Sequence, residues 1–253
     1  MSENNKGYNG INAHERDAFI SFEPVEHRYT VRGKSGNVVC ESVTQLVDGC
    51  FAQFDADYHA ARKATPTCTA EMLKAMWAKK GEEARQLGTL LHDRIERHFL
   101  GLPPDGAALE ERGFRHFLDF AASRTIHPYR SEWAIYSERY RLAGTLDFLA
   151  FDGHKFEIYD WKRSTKVVDG AGRPLMDNYG KFARQPISHI PDTVFNHYSL
   201  QLSFYRYILR MEYGINVAAC HLGIFHPQLE RYHVVDTPYL EKEVEALLKE
   251  RSL

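Results

Sequence analysis

The spacing of apolar residues in the first half of the chain is typical of helices. Between residues 55 and 100, apolar side chains recur every three to four positions, which is the period of one helix face. We predict three successive helices in DADYHAARKA, TAEMLKAMWAKK and GEEARQLGTLLHDRIERHFLG, and a fourth in AALEERGFRHFLDFAASR. Thr65–Pro66 ends the first helix and Gly101 the third. Residues 55–80 are expected to form an N-terminal helical cap.

After Pro128 the pattern changes to that of strands. SEWAIYSE, LAGTLDFLAF and KFEIYDWK are rich in β-branched and aromatic residues, which favour β-structure. Downstream we predict a helix in TVFNHYSLQLSFYRYILRMEYG, two strands in VAACHLGIFH and RYHVVD, and a last helix in PYLEKEVEALLKER. Short strands are also predicted near the start, in AFISFEPVEHRYTV and GNVVCES. This order predicts an α/β fold with one central mixed β-sheet flanked by helices.

The chain of 253 residues is long enough to bury a full core. We predict a flexible N-terminus over residues 1–17, on its polar composition, and a single domain over residues 18–253. Residues 165–193 contain three glycines and three prolines, and are predicted to be a long irregular insertion. Loops of this length inside a compact domain are usually functional.

Composition limits the classes of function. The formal net charge is -2, so binding to nucleic acid would require a local basic patch. The four cysteines form no CxxC pair, which argues for a reducing compartment and against a cysteine-based zinc site or an iron–sulfur cluster. The polar N-terminus and the lack of an 18-residue apolar run predict no targeting signal and no membrane span. We expect a soluble intracellular protein, cytoplasmic or encoded by a phage or virus.

Two carboxylates and one ammonium interrupt the predicted hairpin AGTLDFLAFDGHKFEIYDWKRS. If Asp152-Gly153 forms a two-residue turn, Asp147 lies opposite Ile158. Alternation of side chains then places Asp147, Asp160 and Lys162 on one face, with the two aspartates as diagonal neighbours roughly 7–8 Å apart. Such a site suits Mg²⁺ or Mn²⁺. A salt-bridged hairpin edge, in which Lys162 neutralises Asp160, explains the same spacing.

Four motifs in order resemble the PD-(D/E)xK nuclease superfamily. GTLD and DWK are similar to its catalytic core, GTLLHDRIE resembles the G-x-x-x-H helix of the RecB-like exonuclease branch, and QLSFY resembles that branch's Q-x-x-x-Y helix. The matching region runs from about residue 42 to residue 236. Its compact size and DWKRS are most similar to the mitochondrial genome maintenance exonuclease and to phage or viral single-domain exonucleases. The resemblance implies a restriction-endonuclease-like core, and without the four-cysteine cluster of some relatives, no iron–sulfur cluster.

The resemblance also implies a role for each motif residue. Asp147 and Asp160 would be metal ligands, with His92 as the third protein ligand and the backbone carbonyl of Trp161 as a further one. Lys162 would orient the attacking water and stabilise the pentacoordinate phosphate. These residues are therefore expected to hold one or two Mg²⁺ or Mn²⁺ ions.

Three helical residues are expected to support this site. Glu96 follows His92 by one helical turn, so it either holds His92 or a water in place, or forms an exposed ion pair on the helix. Gln201 and Tyr205 share one face of their helix, and the resemblance places them beside the active site, where they would touch nucleic acid. Packing of the same helix into the core also explains this pattern, and the two roles are compatible.

Contacts to phosphate would explain the basic side chains near these motifs, although each one alone is also an ordinary surface charge. We predict that the following residues bind nucleic acid: Arg141, Arg163, Lys166 and Arg184. Tyr179, Phe182 and Trp77 are candidates for stacking on unpaired bases.

The function expected from these features is hydrolysis of DNA phosphodiester bonds. The insertion and the helical cap suggest a partly closed channel, which favours an exonuclease acting on single-stranded ends, with DNA and other replication or recombination proteins as partners. One alternative is a non-catalytic nucleic-acid-binding module that retains the fold. Another is a hydrolase of sugars that uses a carboxylate pair without a metal. Polarity, strand preference, DNA against RNA, and oligomeric state stay open.

Overall fold

The central element of the structure, a computed structural model that describes residues 7–33 and 36–251, is an eight-stranded mixed β-sheet. Its strands are β1 (Ile20–Glu23), β2 (Arg28–Gly33), β3 (Gly36–Ser42), β4 (Pro128–Ser137), β5 (Leu142–Phe151), β6 (Phe156–Lys162), β7 (Val217–Ile224) and β8 (His233–Asp236). The order is β1-β2-β3-β5-β6-β7-β8, with β4 paired to the other edge of β5. The pairs β3–β5 and β6–β7 are parallel and the others antiparallel.

Helices cover the sheet on both faces, which confirms the predicted α/β fold with a mixed sheet flanked by helices. They are α1 (Tyr8–Ile11), α2 (Val43–Gly49), α3 (Ala56–Lys63), α4 (Ala70–Phe99), α5 (Arg112–Ser123), α6 (Val194–Tyr213) and α7 (Glu241–Arg251). Within the two described ranges, no helix combines the length and the apolar character needed to cross a bilayer.

The helix α4 differs from the prediction. The two helices expected on either side of Gly81 are one continuous helix of 30 residues, which begins where the Thr69 hydroxyl accepts a hydrogen bond from the amide of Met72. A glycine inside a helix costs only about 1 kcal/mol relative to alanine, and here the helix continues through it. The consequence is that one rigid element carries both the start of the helical cap and His92.

The hydrophobic residues on the two faces of β5 and β6 belong to separate cores. On one face, Ile158 belongs to a buried cluster that includes Phe204 of α6. On the other face, Trp161 packs against Phe148 and against Phe117 of α5. Its ring centroid lies 5.7 Å from that of Phe148 and 6.1 Å from that of Phe117. Full burial of such side chains contributes roughly 1.5–3 kcal/mol each. The hairpin that carries the predicted site is thus fixed from both sides.

Residues 165–193 follow an irregular path, as predicted, but they are well anchored. Val167 and Ile187 are fully buried in the core cluster beneath α6. The amide of Arg184 donates to the carbonyl of Cys50 at 2.7 Å, and the amide of Ala183 donates to Ile190. The insertion is therefore a packed part of the domain.

The N-terminal segment, defined here as residues 7–17, is packed where flexibility was expected; the rest of the predicted flexible stretch, residues 1–6, lies outside the described residues. Asn9 is buried against Ser131 of β4, and Asp17 accepts hydrogen bonds from Arg130 and Trp133, both at 2.7 Å. The segment covers the edge of β4 that faces away from β5, which satisfies backbone groups that an open edge would expose.

Candidate metal centre

The turn between β5 and β6 has four residues, Asp152 to Lys155, where two were predicted. Asp152 still initiates it, because its carboxylate accepts hydrogen bonds from the amides of His154 and Lys155, each at 2.9 Å. Gly153 has a φ of 94°, which only glycine adopts easily. The prediction of a turn at the Asp-Gly pair is thus confirmed, and the predicted turn length of two residues is wrong.

The longer turn changes the register of the hairpin. Phe148 pairs with Tyr159, the last pair of the register, so Asp147 and Asp160 each lie one residue beyond the paired region. The predicted pairing of Asp147 with Ile158, and with it the diagonal relation of the aspartates, is wrong. Because the turn is longer by two residues, side-chain parity is kept along the paired residues of the hairpin.

The strands β5 and β6 separate at the level of the aspartates. The hydrogen-bonded pairing ends at Phe148 and Tyr159, and the amide of Trp161 donates instead to the Asp147 carboxylate at 2.8 Å. Asp147 thus lies where the two strands diverge, and its carboxylate accepts the hydrogen bond that a backbone carbonyl of β5 would accept in a continuous ladder. Its side chain is only 11% exposed.

Asp160 and Lys162 form a buried ion pair at the end of β6. Lys162 Nζ lies 2.6 Å from Asp160 Oδ2, and the side chains are 15% and 2% exposed. Burial, together with the neighbouring Asp147, raises the pKa of Asp160 to about 6 even though Lys162 opposes the change. Burial disfavours charge on Lys162, but the two carboxylates outweigh it and raise its pKa. The ammonium also lies 4.6 Å from the ring centroid of Tyr198 on α6.

His92 connects α4 to this hairpin through both ring nitrogens. Nε2 lies 2.8 Å from the carbonyl oxygen of Trp161, and Nδ1 lies 3.7 Å from Asp147 Oδ1. Burial opposes protonation, but Asp147 and Glu132 outweigh it and raise the pKa of His92 to about 9. The two predicted ligands, His92 and the Trp161 carbonyl, are therefore in direct contact with each other.

Glu132 is a member of this cluster that the sequence did not indicate. Its Oε1 lies 3.6 Å from His92 Nδ1. Ser131 pairs with Phe148 and Trp133 with Leu146, so Glu132 occupies the position opposite Asp147 on the other side of β5. In the sequence, Glu132 is only one polar residue in an alternating strand, and the pairing of β4 with β5 is the signal that would have found it.

The donor atoms of this cluster fit a hard divalent cation. One donor atom each from His92, Glu132 and Asp147 lies within 4.8 Å of the others. Cis ligands around Mg²⁺ at about 2.1 Å are roughly 3 Å apart, so separations of 3.6 and 3.7 Å need only a small contraction. Three carboxylates, with Asp160 included, face two basic groups, and a cation would offset the excess negative charge. Oxygen donors with one imidazole suit Mg²⁺ or Mn²⁺.

Gln201 and Tyr205 support the hairpin from α6. Gln201 Nε2 donates to the Tyr205 hydroxyl at 3.0 Å and to Thr44 at 3.3 Å. Tyr205 is 2% exposed, and its ring lies so close to Gly144 that an added Cβ there would be 2.6 Å from it. The ring of Tyr205 is covered, so core packing accounts for its position, and its contact with nucleic acid stays a prediction. Gln201 remains partly exposed.

The other predicted site residues lie around the cluster. Glu96 accepts a hydrogen bond from the Ser131 hydroxyl at 2.9 Å, so it joins α4 to β4. Arg163 directly follows Lys162 and lies 3.6 Å from the Glu111 carboxylate, which partly neutralises it. The remaining basic residues are exposed, one in the β4–β5 turn and two in the insertion: Arg141, Lys166 and Arg184.

Comparisons with known proteins add little to this geometry. No protein-family model matches the chain, and no curated protein sequence matches it. Among solved structures, one described as "Crystal structure of SSO0001" is 14% identical, and the alignment covers 84% of this chain and 73% of that chain with a TM-score of 0.31. A likeness this remote leaves the site to be interpreted from its own residues.

Proposed function

We propose that the protein is a metal-dependent deoxyribonuclease. The observation that carries this proposal is the buried ion pair of Lys162 and Asp160 beside a second carboxylate, Asp147, and an imidazole, His92, 3.7 Å from it. A salt bridge for stability needs neither of the last two groups, and a buried ion pair is weak evidence of a stabilising role. The four residues come from three elements, and they are the ones that resemble the PD-(D/E)xK motifs.

Each residue has a chemical task in this proposal. A divalent cation held by His92, Asp147 and Asp160 would act as a Lewis acid on the scissile phosphate. Lys162 is held by Asp160 and supplies a fixed positive charge where negative charge grows on the phosphate. Trp161 accepts from His92 and donates to Asp147, so one peptide segment orients two of the ligands.

Aromatic and basic surfaces support single-stranded DNA with a free end as the substrate. Trp77 packs edge-on to Phe54 in the helical cap and belongs to the same helix as His92, about 22 Å away at 1.5 Å per residue. In the insertion, Tyr179 is 84% and Phe182 51% exposed. Exposed aromatic rings near basic residues favour unpaired bases, which can stack on them.

The test is digestion of end-labelled DNA by purified protein in Mg²⁺, Mn²⁺ or EDTA. Linear single-stranded, linear duplex and circular substrates separate exonuclease from endonuclease action, and labels at either end give the polarity; an RNA oligonucleotide tests the choice of DNA. We expect metal-dependent loss of linear single strands and no loss of circles. The variant Asp160→Asn should be inactive, whereas the control Glu157→Gln, on the other face of the same strand, should be active.

Three outcomes would contradict the proposal. Binding of DNA without any product in Mn²⁺ would favour the non-catalytic binding module. Cleavage that survives EDTA would exclude a metal-dependent mechanism. Full activity of Asp160→Asn would place the chemistry elsewhere in the molecule.

A further inference from the structure

Glu132 reaches the metal centre from an irregular part of β4. Its φ is 44°, a left-handed value that a residue with a side chain rarely adopts and that a regular strand excludes. The pairing of β4 with β5 also shifts register between Pro128 and Arg130, just before this point. Backbone conformations of this kind persist only where the surrounding structure holds them. The question is which contacts hold Glu132 in place.

The N-terminal segment contacts the residues on both sides of Glu132. Asn9 accepts a hydrogen bond from the amide of Ser131 at 2.8 Å, and its own amide group lies 3.1 Å from the Ser131 hydroxyl. Both ends of one side chain are thus used on one residue of β4. Beyond Glu132, the Trp133 ring nitrogen donates to Asp17 at 2.7 Å.

The same contacts reach the helix that carries His92. The Ser131 hydroxyl donates to Glu96 at 2.9 Å, and Glu96 lies one turn after His92 on α4. Asn9 and Ser131 are 2% and 3% exposed, so water does not compete for these hydrogen bonds. A chain of buried polar groups therefore links the N-terminal segment to the two elements that face each other across the cluster.

We propose that Asn9 is a positioning residue of the metal centre, which acts by holding β4 in the conformation that directs the Glu132 carboxylate toward His92 and Asp147. Glu132 is then a fourth acidic or imidazole group available to the divalent cation. The inference rests on the proposed metal-dependent function, and it assigns the N-terminal segment a role in that function beyond covering a sheet edge.

The test measures binding of Mn²⁺ alone by isothermal titration calorimetry, at a temperature where circular dichroism shows each variant folded. We expect Glu132→Gln and Asn9→Ala each to weaken Mn²⁺ binding by roughly 10-fold, the scale typical for groups that orient metal ligands. Asn12→Ala is the matched control, because Asn12 lies in the same segment but bonds to the carbonyls of Tyr8 and Tyr129. It should bind Mn²⁺ within about twofold of the wild type, well inside that 10-fold loss.

A double-mutant cycle separates positioning from general destabilisation. If Asn9 acts through Glu132, adding Asn9→Ala to Glu132→Gln weakens Mn²⁺ binding no further. An additive loss, or an equal loss in Asn12→Ala, would overturn the proposal. If Asn9→Ala does not fold, Ser131→Ala replaces it in the cycle, because it removes only the hydroxyl that contacts Asn9 and Glu96. It should likewise weaken Mn²⁺ binding in the wild type and not in Glu132→Gln.

Failure of this inference can be told apart from failure of the nuclease proposal. Wild-type protein that binds Mn²⁺ but leaves all DNA substrates intact would overturn the nuclease function and leave the role of Asn9 standing. Wild-type protein that cleaves DNA while Asn9→Ala binds Mn²⁺ normally would overturn only the role of Asn9. Absence of Mn²⁺ binding by the wild type would overturn both.

Discussion

The two faces of β6 carry the same kinds of charged groups in different surroundings. On one face, Glu157 lies 2.6 Å from Lys155 and 3.8 Å from His221, which in turn contacts Asp236 at 2.7 Å. There the Lys155 and Asp236 side chains are 53% and 84% exposed, so water screens the charges.

On the other face, Lys162 and Asp160 are almost fully buried, with His92 and further carboxylates beside them. Burying charge is costly, and a protein in which hydrophobic residues of similar size replace a buried ion pair is often at least as stable. A histidine, a lysine and acidic residues are thus not evidence of a site by themselves. The burial of the lysine and its acidic partner, 15% and 2% exposed against 53% and 20% for Lys155 and Glu157, is the difference that directs attention to one face and not the other.

The sharpest way to break this comparison is to remove one lysine from each face. Lys162→Met should reduce DNA cleavage by at least roughly 100-fold, because a preorganised positive charge is lost where the phosphate develops negative charge. Lys155→Met should retain wild-type cleavage. The measurement is the initial rate on a linear single-stranded substrate in Mg²⁺; equal rates for the two variants would remove the distinction between the faces.

Metal binding should stabilise one face only. At a Mn²⁺ concentration 100 times the dissociation constant, we expect about 2.7 kcal/mol of added stability, which corresponds to a rise in Tm of roughly 5–10 °C. His92→Ala should lose this rise and His221→Ala should keep it. Differential scanning calorimetry with and without Mn²⁺ checks both, and a rise retained in His92→Ala would exclude this imidazole as a ligand.

His92 also allows a test by pH in the metal-free protein. The pKa of His92 is raised to about 9 from an ordinary value of 6.5, so the folded state binds this proton more tightly than the unfolded state. Its contribution to stability is full below pH 6.5 and is lost as the pH rises through 9. We expect a loss on the order of 2 kcal/mol between pH 6.5 and 9.5 in urea unfolding. His92→Gln should lose less stability than the wild type over this range, and an equal loss in both proteins would show that His92 does not cause it.

The smallest effect is expected on the exposed face. Lys155→Ala removes an ion pair to Glu157 that water already screens, so the free energy of unfolding should change little. Urea unfolding at neutral pH measures it. A large loss of stability would indicate that this cluster is structurally important and that the exposure of a charged group is a poor criterion for finding a site.

Much of the site follows from local pattern, and the missing parts depend on contacts distant in sequence. The strands around Asp147 and Asp160 are predictable from their composition, and parity survives the wrong turn length because the extra residues are two in number. Glu132 escapes prediction because its inclusion depends on a left-handed backbone angle and on the register of β4 with β5. Neither is encoded in the few residues around it.

The N-terminal segment and α4 show the same limit. Residues 7–17 have the polar composition of a flexible lead-in, yet buried partners more than 100 positions away order them. Gly81 looks like a boundary between helices, but the helix continues through it. In each case tertiary contact overrides local preference.

The close approach of the Tyr205 ring to Gly144 restricts which residues positions 144 and 205 can carry together. Any larger residue at position 144 would collide with the ring, so it would have to be accompanied by a smaller one at position 205. The glycine of GTLD and the tyrosine of QLSFY are therefore linked by one steric contact, and a side chain at position 144 is tolerated only if the residue at position 205 becomes smaller.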